Sequence, residues 1–434
     1  MSAISNGQQG LVRFCCGTVQ ALLGRVLSFT YRNISHGDLL LTNASIDSRA
    51  DASSVTTAFP WLPLSPCSGN IPLNSEVAAA AGAYTYSLSQ NSSTTLDLIR
   101  VISAQLVLIG HGLVLFDIAT RFSPIQDLGV LMFFLLSGLL ITYSTFRKKN
   151  SSDYGFRVFL IERFSRIYSG YLPSICVIVL LDVLFIHKYG QNEYHYVLDT
   201  KAFFGNIFML QDFPLLGPIT GITSLGSARP FWTLSVEWWF YMFFGFVVLI
   251  KSSESRRGLY ATLLTALAVV PFFNSVVAGR GNGLFAVWMM GFLVAVVLNG
   301  SAISISPRRC AIVVTLCVVC GFLRAYNART MYDLTLAGCL AGSLFFMARG
   351  LDQAERVYTP AILRVITFMA NYSFSLYLIH YSILVLLVPL KVSMSPYLLF
   401  AGGIVGANVI AALLALPTEM RHRQLTRRLI KIFS

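Results

Sequence analysis

Long apolar stretches recur along the chain from residue 97 onward. Each is about 17–25 residues long, which is the length that a helix needs to cross the hydrocarbon core of a bilayer. The stretches lie at 97–118, 127–146, 169–187, 232–250, 258–276, 282–299, 309–325, 333–348, 368–388 and 397–416. This pattern predicts an all-α fold, a polytopic membrane helical bundle with about ten transmembrane helices.

The two ends of the chain follow a different pattern. Residues 1–96 are rich in Ser, Thr, Asn and Ala and contain no stretch long and apolar enough to span a bilayer. The final segment, RHRQLTRRLIKIF, mixes basic and apolar positions, as in a helix that lies on anionic lipid. We therefore predict a polar, flexible cytoplasmic N-terminal extension at 1–96, a transmembrane domain at 97–417 and a basic amphipathic cytoplasmic tail at 418–434.

The composition agrees with a bilayer environment. Charged residues make up 12% of the chain, whereas a soluble domain carries about 25%. Most of the 32 Lys and Arg residues fall in alternate connecting segments, together with both termini. Because basic residues concentrate in cytoplasmic loops, this bias predicts that both termini are cytoplasmic and that the number of spans is even. The net charge of +13 therefore does not indicate a nucleic-acid-binding protein.

Two ionisable residues stand out in the first apolar stretch. Arg100 and His111 lie about three helical turns apart, so they share one face and are separated by roughly 16 Å along the helix axis. This spacing places Arg100 at the cytoplasmic boundary and His111 inside the membrane. An ionisable residue inside a membrane indicates a functional site. The alternative is a histidine that only forms a hydrogen bond to a neighbouring helix.

The second and third stretches contain two further candidate pairs. Ser137 and Gly138 allow either close helix packing or the approach of a ligand to the backbone. Arg163 and Arg166 share one helix face at the predicted inner boundary. Paired guanidinium groups suit phosphate, although basic residues at this position are also typical of simple membrane anchoring.

Later stretches contribute a buried acid and a second histidine. Glu237 lies within an apolar span, with Tyr241 one turn further on, and a carboxylate there needs a partner. Tyr377 and His380 share one face of the ninth span. Asp182 is another intramembrane acid, and we consider it a lesser candidate. The eight cysteines lack the spacing of metal ligands, so we predict no metal site.

These segments together resemble the acyltransferase-3 family of integral membrane acyltransferases, which O-acylate surface polysaccharides, lipopolysaccharide and peptidoglycan. The resemblance is carried by LDLIRVISAQLVLIGH, GVLMFFLLSGLLI, RFSRIYSGY, FWTLSVEWWFY and YSFSLYLIH, in the order that the family shows. The chain departs from the family where Ser169 replaces a frequent proline and where Trp238 and Trp239 replace a common Glu-Gln pair. Glu237 alone therefore carries the carboxylate of that motif.

The resemblance implies acyl transfer from acyl-CoA, most often acetyl-CoA, with no bound cofactor. It suggests His111 and Glu237 as catalytic residues. The expected donor-binding residues are Arg100, Arg163, Arg166, Ser137 and Gly138, and the acceptor-side or supporting residues are Trp232, Ser235, Tyr241, Ser375, Tyr377 and His380. His111 either acts as a general base on a glycan hydroxyl or is transiently acylated, with Glu237 orienting it or serving as the base. We favour His111 as general base, because imidazole exchanges protons near neutral pH.

The expected partners are a glycan or lipid-linked glycan acceptor, acyl-CoA and membrane lipids, and the expected location is the bacterial inner membrane. Three alternatives stay open. The first is a proton-coupled transporter or flippase, for which inverted repeats are typical. The second is a transferase that moves succinyl or another acyl group, or that acts on a small molecule. The third is a structural membrane subunit, which would leave His111 and Glu237 unexplained.

Overall fold

The computed structural model describes residues 84–118, 125–191, 194, 198–212, 220–249, 283–300, 305–327 and 332–433. Its helices are α1 (Gln90–Leu115), α2 (Ile125–Lys148), α3 (Phe156–Tyr189), α4 (Thr200–Ile207), α5 (Phe231–Leu249), α6 (Leu284–Gly300), α7 (Pro307–Asn327), α8 (Leu334–Asp352), α9 (Pro360–Leu387), α10 (Pro396–Ala415) and α11 (His422–Phe433). Short 3-10 turns, Val388–Val392 and Glu419–Arg421, follow α9 and precede α11. No strand occurs in these described ranges, which confirms the predicted all-α fold.

Among the residues that the structure describes, eight helical segments are long and apolar enough to cross a membrane. They correspond to α1, α2, α3, α5, α7, α8, α9 and α10, while α6 is apolar but shorter. Each predicted span within the described ranges coincides with one of these nine helices. The predicted span 258–276 and most of the predicted N-terminal extension lie outside the described residues. The chain is a multi-pass membrane protein.

Three helices begin at least seven residues earlier than the apolar pattern indicates: α1, α3 and α9, the last of which begins at Pro360 and not at residue 368. α1 begins at Gln90, because the side chain of Ser89 accepts a hydrogen bond from the Ser92 backbone N–H and caps the helix. α3 begins at Phe156, well before the predicted boundary at residue 169, and continues through Pro173. Hydropathy misses these first turns because they carry polar and charged side chains. As a result, Arg163 and Arg166 lie on the same rigid helix as the span that follows them.

Two glycines bring α2 and α6 into close contact. A Cβ atom at Gly138 would collide with the backbone carbonyl of Trp288, and one at Gly291 would collide with the carbonyl of Leu135. Small residues of this kind allow helix backbones to approach each other within a membrane protein. This contact fixes the α2 face that carries Ser137.

α9 lies at the centre of the bundle. Its most apolar segment is 67% buried, compared with 11% for α7. α9 packs against α1, α3 and α10, and α1 also packs against α2. The helix that carries Tyr377 and His380 therefore packs against the two helices that carry the candidate arginines and His111.

The predicted basic tail folds back onto the bundle as a helix. α11 packs against α3, and the preceding turn, Glu419–Arg421, contacts α3 and α9. The side chain of Glu419 is completely buried. The turn thus reaches the end of the bundle at which Arg166 lies.

Candidate active site

Three arginines line a cavity of about 190 Å³ at one end of the bundle. Arg100 comes from α1, and Arg163 and Arg166 come from α3. Other walls of this arginine cavity are contributed by α2, α5 and α9. The fold therefore brings Arg100 together with Arg163 and Arg166, which are distant from it in sequence.

Each arginine of the cavity has an acidic neighbour. An Arg100 Nη atom lies 2.8 Å from Asp97, one of Arg163 lies 3.5 Å from the adjacent Glu162, and one of Arg166 lies 3.2 Å from Glu419. The Nε atom of Arg163 is buried and has no hydrogen-bond partner among the described residues. The cavity thus keeps hydrogen-bonding capacity for an anionic ligand.

A chain of hydrogen bonds leads to the carboxylate of Glu237. Trp288 Nε1 donates to Ser137 Oγ at 3.1 Å, and Ser137 Oγ lies 2.8 Å from the hydroxyl of Tyr241. The Tyr241 hydroxyl donates to Glu237, so the Ser137 hydroxyl donates to Tyr241. Glu237 also interacts electrostatically with Arg166 and Arg163. Glu237, which was predicted from its position in an apolar span, is therefore held in the wall of the arginine cavity by this series of hydrogen bonds.

His111 lines a second cavity, of about 410 Å³. Polar side chains in its wall include Gln126, Asp127 and Arg229. The buried Oε1 atom of Gln126 has no hydrogen-bond partner in the described part of the chain. Aromatic side chains complete the wall of this histidine cavity: Tyr194, Trp232, Tyr332, Tyr377 and Tyr381. The lining combines aromatic faces with hydrogen-bonding groups, as in sites for polar organic ligands.

The two histidines form a pair with defined hydrogen-bond directions. His111 Nδ1 lies 3.0 Å from His380 Nε2, and the two rings are stacked with centroids 5.1 Å apart. His380 Nδ1 lies 2.8 Å from the carbonyl oxygen of Tyr377 and 3.1 Å from that of Leu376. A carbonyl oxygen can only accept, so His380 Nδ1 carries a proton. With His380 neutral, its Nε2 accepts from His111 Nδ1–H, and the lone pair of His111 is on Nε2.

The arginine cavity and the histidine cavity meet at three residues. Val130 from α2, Thr233 from α5 and Tyr377 from α9 line both cavities, and all three are buried. Thr233 Oγ1 and the hydroxyl of Tyr377 are hydrogen-bonded to each other across this junction. Arg100 and His111, which face the same way on α1, therefore lie in neighbouring cavities that share one wall.

The structure corrects the suggested partner of His111. The side chain next to His111 is His380, whereas Glu237 lies in the arginine cavity. The sequence could not show this, because the spacing within α9 places His380 and Tyr377 on one face but does not give the helix that this face meets.

Four predicted site residues lie outside both cavity walls, and His380, the partner of His111, is one of them. Gly138 is in the contact between α2 and α6. Ser235 donates to the carbonyl oxygens of Trp232 and Gln211. Ser375 donates from its backbone N–H and from its hydroxyl to the carboxylate of Glu419. The lesser candidate Asp182 accepts hydrogen bonds from the backbone and the hydroxyl of Ser227 and joins the segment before α5 to α3.

Glu419, Asp127 and Arg229 were not among the predicted site residues. Glu419 is the sole acid in the basic segment 417–434, and this isolated acid was a usable signal, because a lone carboxylate among arginines commonly pairs with one. Asp127 and Arg229 flank the starts of apolar stretches, where charged residues are common. In the described ranges, no three His, Cys, Asp or Glu side chains are grouped as a metal site.

Comparison with known proteins identifies the family. No curated protein and no solved structure matches the chain. A family model described as an acyltransferase domain, that of the acyltransferase-3 family, matches residues 94–416. This range contains all the lining residues of the arginine cavity and the histidine cavity. Because the match covers well over half of the sequence, the chain belongs to the acyltransferase-3 family.

Proposed function

We propose that this membrane acyltransferase moves an acetyl group from cytoplasmic acetyl-CoA to a hydroxyl of a cell-surface or exported glycan. The observation that carries the proposal is the meeting of two unlike cavities at a shared wall. One cavity is lined by three arginines, and the other is lined by His111, which is paired with His380 behind it. A reaction between a polyanionic donor and a hydroxyl acceptor needs two such sites in contact.

The arginine cavity suits the phosphates of acyl-CoA. Guanidinium groups bind phosphate through paired N–H donors, and Arg100, Arg163 and Arg166 come together here. CoA is a cytoplasmic compound, so this end of the bundle would face the cytoplasm, as the distribution of basic residues predicts. The distance of roughly 16 Å between Arg100 and His111 along α1 is comparable to the extended pantetheine arm that links the phosphates to the thioester.

The histidine cavity suits a sugar. It is larger than the arginine cavity, and its tyrosines and Trp232 offer both flat apolar faces and hydroxyl or N–H groups. Gln126 Oε1 offers an acceptor for a ligand hydroxyl. Polar groups of this kind orient a ligand, and the aromatic faces bury its apolar ring surface.

His111 would act as the general base in a direct transfer. His111 Nε2 takes the proton of the glycan hydroxyl while that oxygen attacks the thioester carbonyl carbon. The C–S bond then breaks, an ester forms, and the CoA thiolate receives the proton from His111. His380 holds the imidazole of His111 in the tautomer that this step needs, because its own Nδ1–H is anchored to the carbonyl of Tyr377. A covalent acyl-histidine route would use the same nitrogen and is the alternative to direct transfer.

Mass spectrometry of surface glycans tests this proposal. Cells that carry the gene should show glycans heavier by one acetyl unit than cells without it, and the difference should disappear when only a His111→Ala variant is present. A mass difference of one succinyl unit would show that the transferred group is succinyl and not acetyl. Identical glycans in all three strains would contradict transfer to a glycan.

A further inference from the structure

The side chain of Tyr377 lines both cavities, and its hydroxyl is hydrogen-bonded to Thr233, which also lines both. Thr233 Oγ1 donates to the carbonyl oxygen of Pro230 at 2.9 Å, so its single proton is already committed. The hydrogen bond between Thr233 and Tyr377 must therefore run from the Tyr377 O–H to Thr233 Oγ1. A rotation about the phenolic C–O bond redirects this proton without moving the ring.

The ring of Tyr377 is held firmly in place. It packs edge-to-face against Phe133, with ring centroids 5.4 Å apart, and only 8% of the residue is exposed. The backbone carbonyl of Tyr377 separately accepts from His380 Nδ1. One residue thus presents its hydroxyl to the junction and anchors the histidine pair through its main chain.

The reacting carbon must lie at this junction. If the donor occupies the arginine cavity and the acceptor occupies the histidine cavity, the thioester carbonyl and the attacking hydroxyl can meet only where the cavities adjoin. Val130, Thr233 and Tyr377 form that place. Val130 has no polar side-chain atom, and the Thr233 hydroxyl donates its proton to the carbonyl oxygen of Pro230. Of these three residues, Tyr377 is the one that can donate a hydrogen bond to a ligand.

We propose that the Tyr377 hydroxyl is a catalytic group that donates a hydrogen bond to the thioester carbonyl oxygen. This inference rests on the proposed function. As the glycan oxygen attacks, the C=O electron pair moves onto the carbonyl oxygen, and Tyr377 O–H stabilises the resulting oxyanion. The pair returns when the C–S bond breaks, and the Tyr377 proton stays on its own oxygen throughout. Thr233 is a positioning residue that holds the hydroxyl at the junction when no donor is bound.

A pair of variants tests the inference, because both remove the same hydrogen bond but only one removes the hydroxyl of Tyr377. Tyr377→Phe keeps the ring and the carbonyl that anchors His380, and it should lower kcat by on the order of 10²-fold, the usual effect of losing one oxyanion donor. KM for acetyl-CoA should change by less than about twofold, since the lost contact forms in the transition state. Thr233→Val keeps the Tyr377 hydroxyl and should lower kcat by less than about tenfold.

Tyr372→Phe is the matched control. Tyr372 lies on the same helix, its hydroxyl contacts Asn408, and it lines neither cavity. The kcat of the Tyr372→Phe variant should therefore match that of the wild type. Equal losses for Tyr377→Phe and Thr233→Val would show a structural hydrogen bond only and would overturn the inference, as would normal kcat in Tyr377→Phe. If the wild-type protein itself transfers no acetyl from acetyl-CoA, the proposed function fails, and this outcome is distinct from a failure of Tyr377 alone.

Discussion

At the scale of single residues, the chemistry of His111 depends on a group it does not touch. The carbonyl of Tyr377 fixes the proton on His380 Nδ1, and His380 in turn fixes the tautomer of His111. The carbonyl oxygen of Tyr377 can only accept, so the proton of His380 is on Nδ1. The unprotonated Nε2 of His380 can then only accept as well, so the proton of His111 is on its Nδ1. The main chain of α9 therefore sets the basic nitrogen of a residue on α1.

His380→Ala should lower kcat by on the order of 10²-fold or more, because His111 is then free to adopt the wrong tautomer. Binding of acetyl-CoA should be retained, since the arginines lie in the other cavity. Steady-state rates and donor binding on the purified protein give both quantities. His187→Ala, an exposed histidine at the end of α3, is the control. Normal turnover in His380→Ala would show that His111 does not need His380 to hold its tautomer.

Arg166→Ala should raise KM for acetyl-CoA by about tenfold or more, which corresponds to one lost charge-assisted hydrogen bond of roughly 1.5–3 kcal/mol. Arg157→Ala, an exposed arginine on the same helix, should leave KM unchanged.

Glu419 complicates this experiment, since it pairs with Arg166 and is completely buried. The double variant Arg166→Ala/Glu419→Gln removes the unpaired carboxylate and should still bind acetyl-CoA weakly. Wild-type donor affinity in the double variant would place the donor phosphates elsewhere.

The sequence identified nine of the residues that line the two cavities, including all the ionisable groups that the proposal uses, but not their partners. Arg100, His111 and Glu237 were found because ionisable side chains are costly in apolar spans. The structure places His380 next to His111 and Glu237 in the arginine cavity. The sequence left the partner of His111 open, because contacts between helices depend on rotation and packing that one helix does not encode. Glu419 was missed because it lies in a segment whose basic character suggested only a lipid-facing role.

At the scale of helices, the position of Ser137 in the proposed active site depends on backbone contact between α2 and α6. Gly138 and Gly291 each face a backbone carbonyl of the other helix, where no side chain fits. Apolar periodicity predicts that both helices exist, but it does not distinguish a glycine that packs from one that contacts a ligand. The same limit explains why α3 was predicted to begin at residue 169 rather than at Phe156.

Gly138→Ala should destabilise the protein by about 1–3 kcal/mol, because the added methyl group overpacks the contact. Gly338→Ala is the matched control, since a Cβ atom at Gly338 in α8 meets nothing within 4 Å. There the substitution should be neutral or stabilising by up to about 1 kcal/mol. Thermal unfolding in detergent measures the difference, and equal midpoints for the two variants would contradict the packing role of Gly138.

At the scale of the whole molecule, the arginine cavity must face the cytoplasm if it is to bind acyl-CoA. The basic residues in alternate connecting segments and the basic helix α11 next to α3 support this orientation. The tail turn contributes Glu419 to the same end of the bundle. The C-terminus and the donor site should therefore lie on one side of the membrane.

Fusion of alkaline phosphatase after the last residue tests this orientation. The phosphatase is active only outside the cytoplasm, so the fusion should be inactive, whereas a fluorescent protein at the same point should fold and fluoresce. An active phosphatase would place α11 and the arginine cavity on the outer side, where acyl-CoA is not supplied.

We propose above all that acyl transfer from acyl-CoA to a glycan hydroxyl depends on His111 as the general base. Inverted membrane vesicles should be given acetyl-CoA labelled in its acetyl group, and label in the glycan fraction should be counted at equal amounts of inserted protein. We predict incorporation with the wild type and with His187→Ala, and only background with His111→Ala. Wild-type incorporation by His111→Ala, or none by the wild type, would contradict the account.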